Sequence, residues 1–309
     1  MAAPTVIGVL SAESTLSKRV TALAPAIFVL LWSTGFIVAR YGTKDAGPLT
    51  FLTIRTAVAA GILFLFSRLT HDESLTGKQI RVQWIVGAGI HAMYLGGVFV
   101  AIDHGLPSGV SALIAALHPV VTTVLGRLML GEDLTSRRIT GVALGCIGVV
   151  AVVAERGGAS DGISAVALIA MAIAVFGMSG GTLIQRRFAT GVPLLAGTAW
   201  QYVATTVILG VGAVTFEGWD FTVTAQSLLS LAWAVGVLSL AAILIMLWLL
   251  HRQAASQVSS LFFLTPALST VEGAILFGEK LGTLSMIGLI VAILGVWLAT
   301  TQRTTSLQT

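Results

Sequence analysis

The sequence predicts an all-α membrane protein in which ten transmembrane helices form two inverted five-helix repeats. The first observation is composition: 56% of the 309 residues are hydrophobic and only 10% are charged, whereas a soluble domain carries roughly 25% charged residues. The second is segment length, because the apolar stretches approach the ~20 residues that cross a bilayer. The third is an internal repeat, and together the three exclude a soluble protein.

The internal repeat centres on residues 108–132. A forward shift of 147 positions carries Pro119 onto Pro266 and Glu132 onto Glu279, with a glycine before each glutamate. A proline inside an apolar segment that ends in Gly-Glu therefore occurs twice at a constant offset. Because this offset is about half of the chain, we interpret the sequence as two units built to one plan.

Ten apolar segments follow one another, five in each unit. Their approximate bounds are 21–39, 49–68, 83–102, 107–130, 139–154, 163–184, 194–215, 227–250, 258–278 and 283–300. The predicted domains are a mobile tail at 1–20, a first repeat at 21–156, a second repeat at 163–301 and a tail at 302–309. An odd number of helices per repeat inserts the second repeat upside down relative to the first, which is typical of secondary transporters.

The distribution of lysine and arginine predicts that both termini lie in the cytoplasm. In this orientation twelve of these residues lie inside and four outside, with Arg55 within a span, in agreement with the positive-inside rule. We therefore expect a multi-pass protein of the cell (inner) membrane. The net charge of +4 then reflects topology, and no basic run indicates nucleic-acid binding. The single cysteine, Cys146, excludes an intrachain disulfide, and no pattern indicates a metal or a cofactor.

Three stretches carry a resemblance to a known family. They are LLWSTGFIVARYG at 30–42, the proline with Gly-Glu twelve residues later at 119–132, and the copy of that motif at 266–279. With these motifs the chain resembles the EamA branch of the drug/metabolite transporter superfamily over residues 22–300. The resemblance implies ten helices, a central cavity, and the export of amino acids, including aromatic ones, or related metabolites. A drug or other metabolite permease of the same fold is the alternative.

Pro119 and Pro266 are predicted hinges between rigid helical segments. Each lies within a span, where proline lacks an amide proton and leaves the carbonyl one turn earlier without its helical donor. Lipid cannot bind that carbonyl, so a neighbouring helix, a hydroxyl or water must do so. The two prolines are therefore either hinges for a rocking motion or static kinks that only pack, and both interpretations stay open.

Arg55 and Glu272 are charged residues within predicted spans. Both lie ~10 Å from the outer end of their span at 1.5 Å per residue. Because an unpaired ion in hydrocarbon is costly, we expect them to pair or to share a polar, water-accessible pocket. As functional groups, Arg55 would bind a substrate carboxylate, or Glu272 would carry a proton that drives exchange. As structural groups, they would form a salt bridge that locks the outer gate.

The candidate substrate site combines aromatic side chains with a few hydrogen-bonding groups near the bilayer midplane. His91 and Tyr94 share a helix face because they lie three residues apart. Trp32 is the first candidate because it lies too deep for the interfacial belt, whereas Trp200 also suits that belt. Such walls suit a small amphiphile such as an aromatic amino acid, although each histidine also fits a packing role. The predicted substrate-binding residues are Trp32, Ser33, His91, Tyr94, His118, Met178, Ser179, Trp200, Tyr202, Phe262 and Thr265.

Two other functional classes fit the sequence less well, so we expect a transporter rather than an enzyme. Residues 177–180 spell GxSG, as in intramembrane serine proteases, but such a mechanism needs a histidine base beside Ser179, and His251 is the only later histidine. No acidic ring or filter-like loop indicates an ion channel. No P-loop indicates ATP-driven transport, so we expect alternating access driven without ATP hydrolysis.

Small residues recur in the last helix of each unit. Gly141 and Gly148 correspond to Gly288 and Gly295 after the same shift, and their spacing lets helix backbones approach closely. Packing within the fold explains this stripe, and a homodimer through the fifth and tenth helices is the alternative. The other expected partners are the lipid bilayer and a small-molecule substrate.

Overall fold

The computed structural model describes residues 6–131, 135–157, 163–242, 245, 249, 262–280 and 282–300. Over these ranges the regular secondary structure is helical, and one isolated β-bridge joins Ala46 and Phe221 in two connecting loops. In chain order the helices are α1 Val6–Gly42, α2 Pro48–Leu69, α3 Gly77–Asp103, α4 Ser108–Leu130, α5 Ser136–Gly157, α6 Ala165–Phe188, α7 Leu194–Glu217, α8 Ala225–Ala241, α9 Thr265–Phe277 and α10 Thr283–Thr300.

The helices of the described ranges have the length and composition of membrane spans. Seven of them, α1 to α7, are long and apolar enough to cross a membrane, and α8 and α10 are shorter apolar helices. The first helix begins at Val6, inside the predicted tail at 1–20, because no glycine or proline interrupts residues 9–24. Glu132, His251 and the end of the predicted span at 227–250 lie outside the described residues.

Helices α2 and α7 run antiparallel, and carboxylates at their ends bind the start of the partner helix. At the end of α7, Glu217 accepts hydrogen bonds of 2.8 Å from the amide groups of Leu49 and Thr50 in the first turn of α2. At the opposite end, Asp72 follows α2 and accepts a hydrogen bond of 3.4 Å from the amide of Ala196 in α7. Both carboxylates meet the unpaired amides and the positive end of a helix dipole.

A carboxylate at the end of one helix also binds the start of its partner in two further antiparallel helix pairs. Glu279, which follows α9, accepts hydrogen bonds of 2.9 Å from the amide and the hydroxyl of Ser108 at the start of α4. Glu155, near the end of α5, accepts a hydrogen bond of 2.8 Å from the amide of Ser285 at the start of α10. Each of these contacts joins a helix from the first half of the chain to one from the second half.

Helices α5 and α10 pack closely through the predicted stripe of small residues. A Cβ atom on Gly148 would overlap the carbonyl oxygen of Gly288, and one on Gly141 would overlap that of Gly295. The stripe therefore packs within the chain. A homodimer through these two helices stays a prediction, and it would have to use their other faces, where for example Val150 is 64% exposed.

We expect Gly148→Ala to destabilise the fold and Gly61→Ala to leave it intact. The added methyl at position 148 meets the backbone of α10, which cannot move aside as a flexible side chain can, and overpacking of this kind costs about 1–3 kcal/mol. A methyl at position 61 of α2 meets nothing within 4 Å. Thermal unfolding in detergent measures both variants, and an equal transition temperature for the two would contradict the proposed packing.

Pro119 lies just after a break in α4, and Pro266 lies in the first turn of α9. In α4 the regular helix ends at Ala115 and resumes at His118. The carbonyl of Ala115, which Pro119 deprives of its amide donor, instead accepts a hydrogen bond of 3.1 Å from Nδ1 of His118. Pro266 lies in the first turn of α9, directly after the 3-10 turn Phe262–Leu264. The break at Pro119 is present, and the movement of both prolines as hinges stays a prediction.

Candidate functional site

An aromatic cavity of about 100 Å³ lies among α1, α2, α3, α6, α7 and α8. Six predicted site residues lie in its wall, namely Trp32, Arg55, His91, Tyr94, Met178 and Tyr202. The wall contains residues from both halves of the chain. A pocket for a drug-sized ligand typically measures about 300–1,000 Å³, so an aromatic amino acid would require these helices to move apart.

Arg55 is the charged residue of the cavity wall. Its side chain is buried, with 5% of the residue exposed, and its Nε donates a hydrogen bond of 3.0 Å to Oγ of Ser239 in α8. Within the described residues no carboxylate forms an ion pair with it, and its terminal nitrogens have no hydrogen-bond acceptor. A guanidinium stays charged and carries five N–H donors, so this group can bind an anionic ligand at the cavity.

Glu272 is bound by the hydroxyl of Ser33 rather than by Arg55. Oγ of Ser33 in α1 donates a hydrogen bond of 2.6 Å to Oε1 of Glu272, and Oγ of Ser269 donates one of 3.1 Å to the carbonyl of Ser33. Oε2 of Glu272 is buried and has no partner among the described residues. The expected ion pair between Arg55 and Glu272 is therefore not formed here, although both groups lie within the helix bundle.

A chain of three polar side chains leads from the cavity into the α3–α7 contact. Nε2 of His91 donates a hydrogen bond of 3.0 Å to Oε1 of Gln201, and Nε2 of Gln201 donates one of 2.6 Å to Oε1 of Gln83. His91 lies in the π-helical stretch Ala88–Met93, and its ring packs 4.7 Å from that of Tyr202. Because π-helical stretches are frequent at functional sites, this turn supports a role for His91.

Two other predicted residues form a structural contact between α4 and α6. Oγ of Ser179 lies 2.7 Å from the carbonyl of Val175 and 2.9 Å from the carbonyl of His118. The His118 ring is bound to Ala115 instead, so within the described residues no imidazole lies within hydrogen-bond reach of this serine. The GxSG serine therefore lacks the base that a serine nucleophile needs.

The remaining predicted residues lie beside the cavity or away from it. Phe262 packs edge-on against the Trp32 ring at 5.1 Å, so it supports the wall from behind. Thr265 is buried, and its Oγ1 has no partner among the described residues. Trp200 packs edge-on against Phe64 at 5.5 Å and does not line the cavity.

Sequence reasoning missed several residues that the fold brings to this site. Phe36, Phe99 and Leu238 complete the apolar wall, but their types are those of ordinary packing residues. Ser239 and Gln83 are polar residues within apolar helices. An isolated hydroxyl or amide in a membrane span is the signal that could have found both, since such groups need partners inside the protein.

Comparison with known proteins identifies the family of this bundle. A family model described as the EamA-like transporter family matches residues 20–154 and, a second time, residues 165–301. The chain belongs to the EamA-like transporter family. The two matches confirm that the chain contains two copies of one unit. EamA family members are transporters, so this chain is a multi-pass membrane transporter and not a protease.

Several relatives match nearly the whole chain. A Bacillus subtilis protein named "Uncharacterized transporter YvbV" is 27% identical over 289 residues, 93% of this chain and 93% of its own length. An Escherichia coli K12 protein named "Uncharacterized inner membrane transporter YedA" is 26% identical, with 92% of each chain covered. A Salmonella typhimurium protein named "Probable amino-acid metabolite efflux pump" is 22% identical over 88% of this chain and 92% of its own.

One solved crystal structure has the same fold. It superposes with a TM-score of 0.61 and covers 91% of this chain and 97% of its own, at 20% sequence identity. At this identity the likeness shows the fold alone.

Proposed function

We propose that this EamA-family chain is a secondary transporter that exports small metabolites bearing a carboxylate, with amino acids as the favoured class and aromatic ones among them. The observation that carries this proposal is Arg55, a buried guanidinium without an acidic partner among the described residues. A buried charge that lacks its partner is costly, and a substrate carboxylate would supply that partner. The "amino-acid metabolite efflux pump" name of a relative favours the same class.

Within the cavity we assign the carboxylate of the substrate to Arg55 and its apolar part to the aromatic wall. Trp32, Tyr94 and Tyr202 would contact that apolar part, with His91 available as a hydrogen-bonding group. Ser33, Met178 and Phe262 would position the wall. The other predicted binding residues, namely His118, Ser179, Trp200 and Thr265, would contribute to packing or to a different conformation.

Transport would proceed by alternating access between two inverted five-helix repeats, which together make ten transmembrane helices. The antiparallel pairs α2–α7, α4–α9 and α5–α10 support this arrangement, because an inverted repeat pairs equivalent helices in opposite directions. We place the repeats at 21–156 and 163–301, with both termini in the cytoplasm as the lysine and arginine distribution favours. Pro119 and Pro266 would be the hinges of the rocking motion.

The experiment that tests this proposal is counterflow in liposomes that contain the purified protein. Liposomes loaded with L-phenylalanine should take up radiolabelled L-phenylalanine, and external L-phenylalanine should compete with the label. L-phenylalaninamide has the same ring and amine without the carboxylate, so it should compete about 10- to 150-fold less well. This range corresponds to the roughly 1.5–3 kcal/mol of a hydrogen bond to a charged group.

Sugars and cationic drugs complete the panel as controls for substrate class. Equal competition by L-phenylalanine and its amide would contradict the role assigned to Arg55. Uptake of a cationic drug without any uptake of amino acids would favour the alternative, a drug or other metabolite permease of the same fold.

A further inference from the structure

We propose that Glu272, together with Ser33, is a proton-binding site that couples transport to a proton gradient. This inference rests on the proposed transport function and adds its driving force. Glu272 lies in the middle of α9, and Ser33 lies in α1, so the contact joins the two segments that match the family. Relative movement of the two halves would therefore make and break the contact.

The two oxygens of the Glu272 carboxyl have different surroundings. Oε1 accepts a hydrogen bond of 2.6 Å from the fully buried hydroxyl of Ser33. Oε2 is shielded from solvent and has no hydrogen-bond partner among the described residues. A carboxylate that is shielded without a cation or a second donor is costly, and binding a proton removes its charge.

Four charged or titratable groups on the helices packed against α9, namely Arg40, Tyr41, His118 and Arg127, have other partners. In α1, Arg40 pairs with Glu279, and Tyr41 packs against Phe277 at 4.9 Å. In α4, the His118 ring is bound to the carbonyl of Ala115, and Arg127 lies 3.5 Å from the carbonyl of Gly131. The 3-10 turn before α9 contains no charged residue. None of these groups therefore compensates the charge of Glu272.

Glu279 gives a contrast within the same part of the chain. Its carboxylate accepts hydrogen bonds from Ser108 and pairs with Arg40, so its charge is compensated at the end of the helix. Such a carboxylate stabilises the fold as an anion, and protonation would remove that stabilisation. The two glutamates lie seven residues apart, and only Glu272 is left to exchange one.

The link between the proton and the substrate is α1. Trp32 lies in the cavity wall and its neighbour Ser33 holds Glu272. A hydronium ion at the outer face would give its proton to Oε2 and leave as water. After the halves rock, the carboxylic acid would return that proton to water at the inner face. Substrate that moves Trp32 would move Ser33 as well, so occupation of the cavity and protonation of Glu272 would influence each other.

The test uses the full-length protein in liposomes with the membrane potential clamped by potassium and valinomycin, and radiolabelled L-phenylalanine as the probe. With one proton per substrate, a gradient of one pH unit should drive accumulation of up to about tenfold, because one pH unit is worth about 1.36 kcal/mol. Glu272→Gln should lower accumulation to the equilibrium level and retain counterflow. Glu73→Gln, a matched change at an exposed loop residue, should accumulate the probe as the unmodified protein does.

Each outcome decides between the two proposals. Absence of counterflow in the unmodified protein would overturn the proposed function, whereas counterflow without gradient-driven accumulation would overturn proton coupling alone. Full accumulation by Glu272→Gln would also overturn it, as would equal loss of counterflow and accumulation. If Glu272→Gln does not fold, a second experiment replaces the accumulation assay. It uses the unmodified protein in liposomes that contain a pH-sensitive dye. An outward L-phenylalanine gradient should then acidify the lumen, and a constant lumenal pH would overturn the coupling.

Discussion

Replacing Arg55 with glutamine should lower the counterflow of L-phenylalanine by about 100-fold or more. Removing one member of a buried charge pair costs about 3–5 kcal/mol, and each 1.4 kcal/mol is a factor of ten. In the empty transporter the described residues offer the Arg55 guanidinium one hydroxyl, that of Ser239, and no carboxylate. The full free-energy cost of the Arg55→Gln replacement would therefore arise only when the substrate carboxylate is bound.

The unfolding temperature of the Arg55 variants distinguishes a role in substrate binding from a structural role. If Arg55 only locked the fold, Arg55→Gln would lower the unfolding temperature in detergent. Because the residue is buried without a counter-ion, we expect the glutamine variant to unfold at the same or a higher temperature. Arg55→Lys keeps a charge but loses the planar fork that binds a carboxylate with two hydrogen bonds. Its counterflow rate should therefore lie between those of the unmodified protein and Arg55→Gln. Counterflow at the original rate in Arg55→Gln would refute the assignment.

Sequence reasoning succeeded where hydrophobicity and repetition decide the structure. The apolar segments predicted most of the helices, because a bilayer requires nearly uniform apolar stretches of fixed length. The break expected at Pro119 is present between Ala115 and His118, because proline removes a backbone hydrogen bond of the helix. Trp32 was proposed for the substrate site because of its depth; it lies in the cavity wall, and its contact with a substrate stays a prediction.

Sequence reasoning failed where rotation of a helix about its axis decides the contact. Arg55 and Glu272 were expected to pair or to share a polar, water-accessible pocket because they share a depth, but depth does not determine which neighbour a side chain faces. Arg55 is turned toward Ser239, and Glu272 toward Ser33. Both serines lie in apolar runs that look uniform in sequence, so their hydrogen-bond partners become evident only when the helices are packed together.

The serines next to two cavity-wall residues, one in each half of the chain, have different hydrogen-bond partners. Trp32 of the first half and Met178 of the second half both line the cavity. Their neighbours Ser33 and Ser179 both make contacts across the halves, but one holds a carboxylate and the other a backbone carbonyl. The residue opposite each serine therefore determines what that serine does.

Replacing Trp32 with alanine should lower kcat/KM for L-phenylalanine by about 10- to 100-fold and leave membrane insertion and folding intact. The ring lies at the cavity and packs against Phe28 and Phe262 at 5.5 and 5.1 Å. Its loss removes about 1.5–3 kcal/mol of apolar contact, some of it with the substrate, and about 0.5–1.5 kcal/mol of specific aromatic interaction. Trp32→Phe keeps an aromatic ring, so it should retain most of the transport.

Trp200→Ala is the matched control because it deletes the same side chain from the other tryptophan that the sequence proposed for the site. Its ring packs against Phe64 outside the cavity wall, so transport should stay within about threefold of the original, under 1 kcal/mol on the same scale. Size-exclusion profiles and thermal unfolding in detergent would show that both variants are folded. If Trp200→Ala lost transport and Trp32→Ala kept it, the substrate would bind near the α2–α7 contact, and the aromatic cavity would be a packing defect between the two halves.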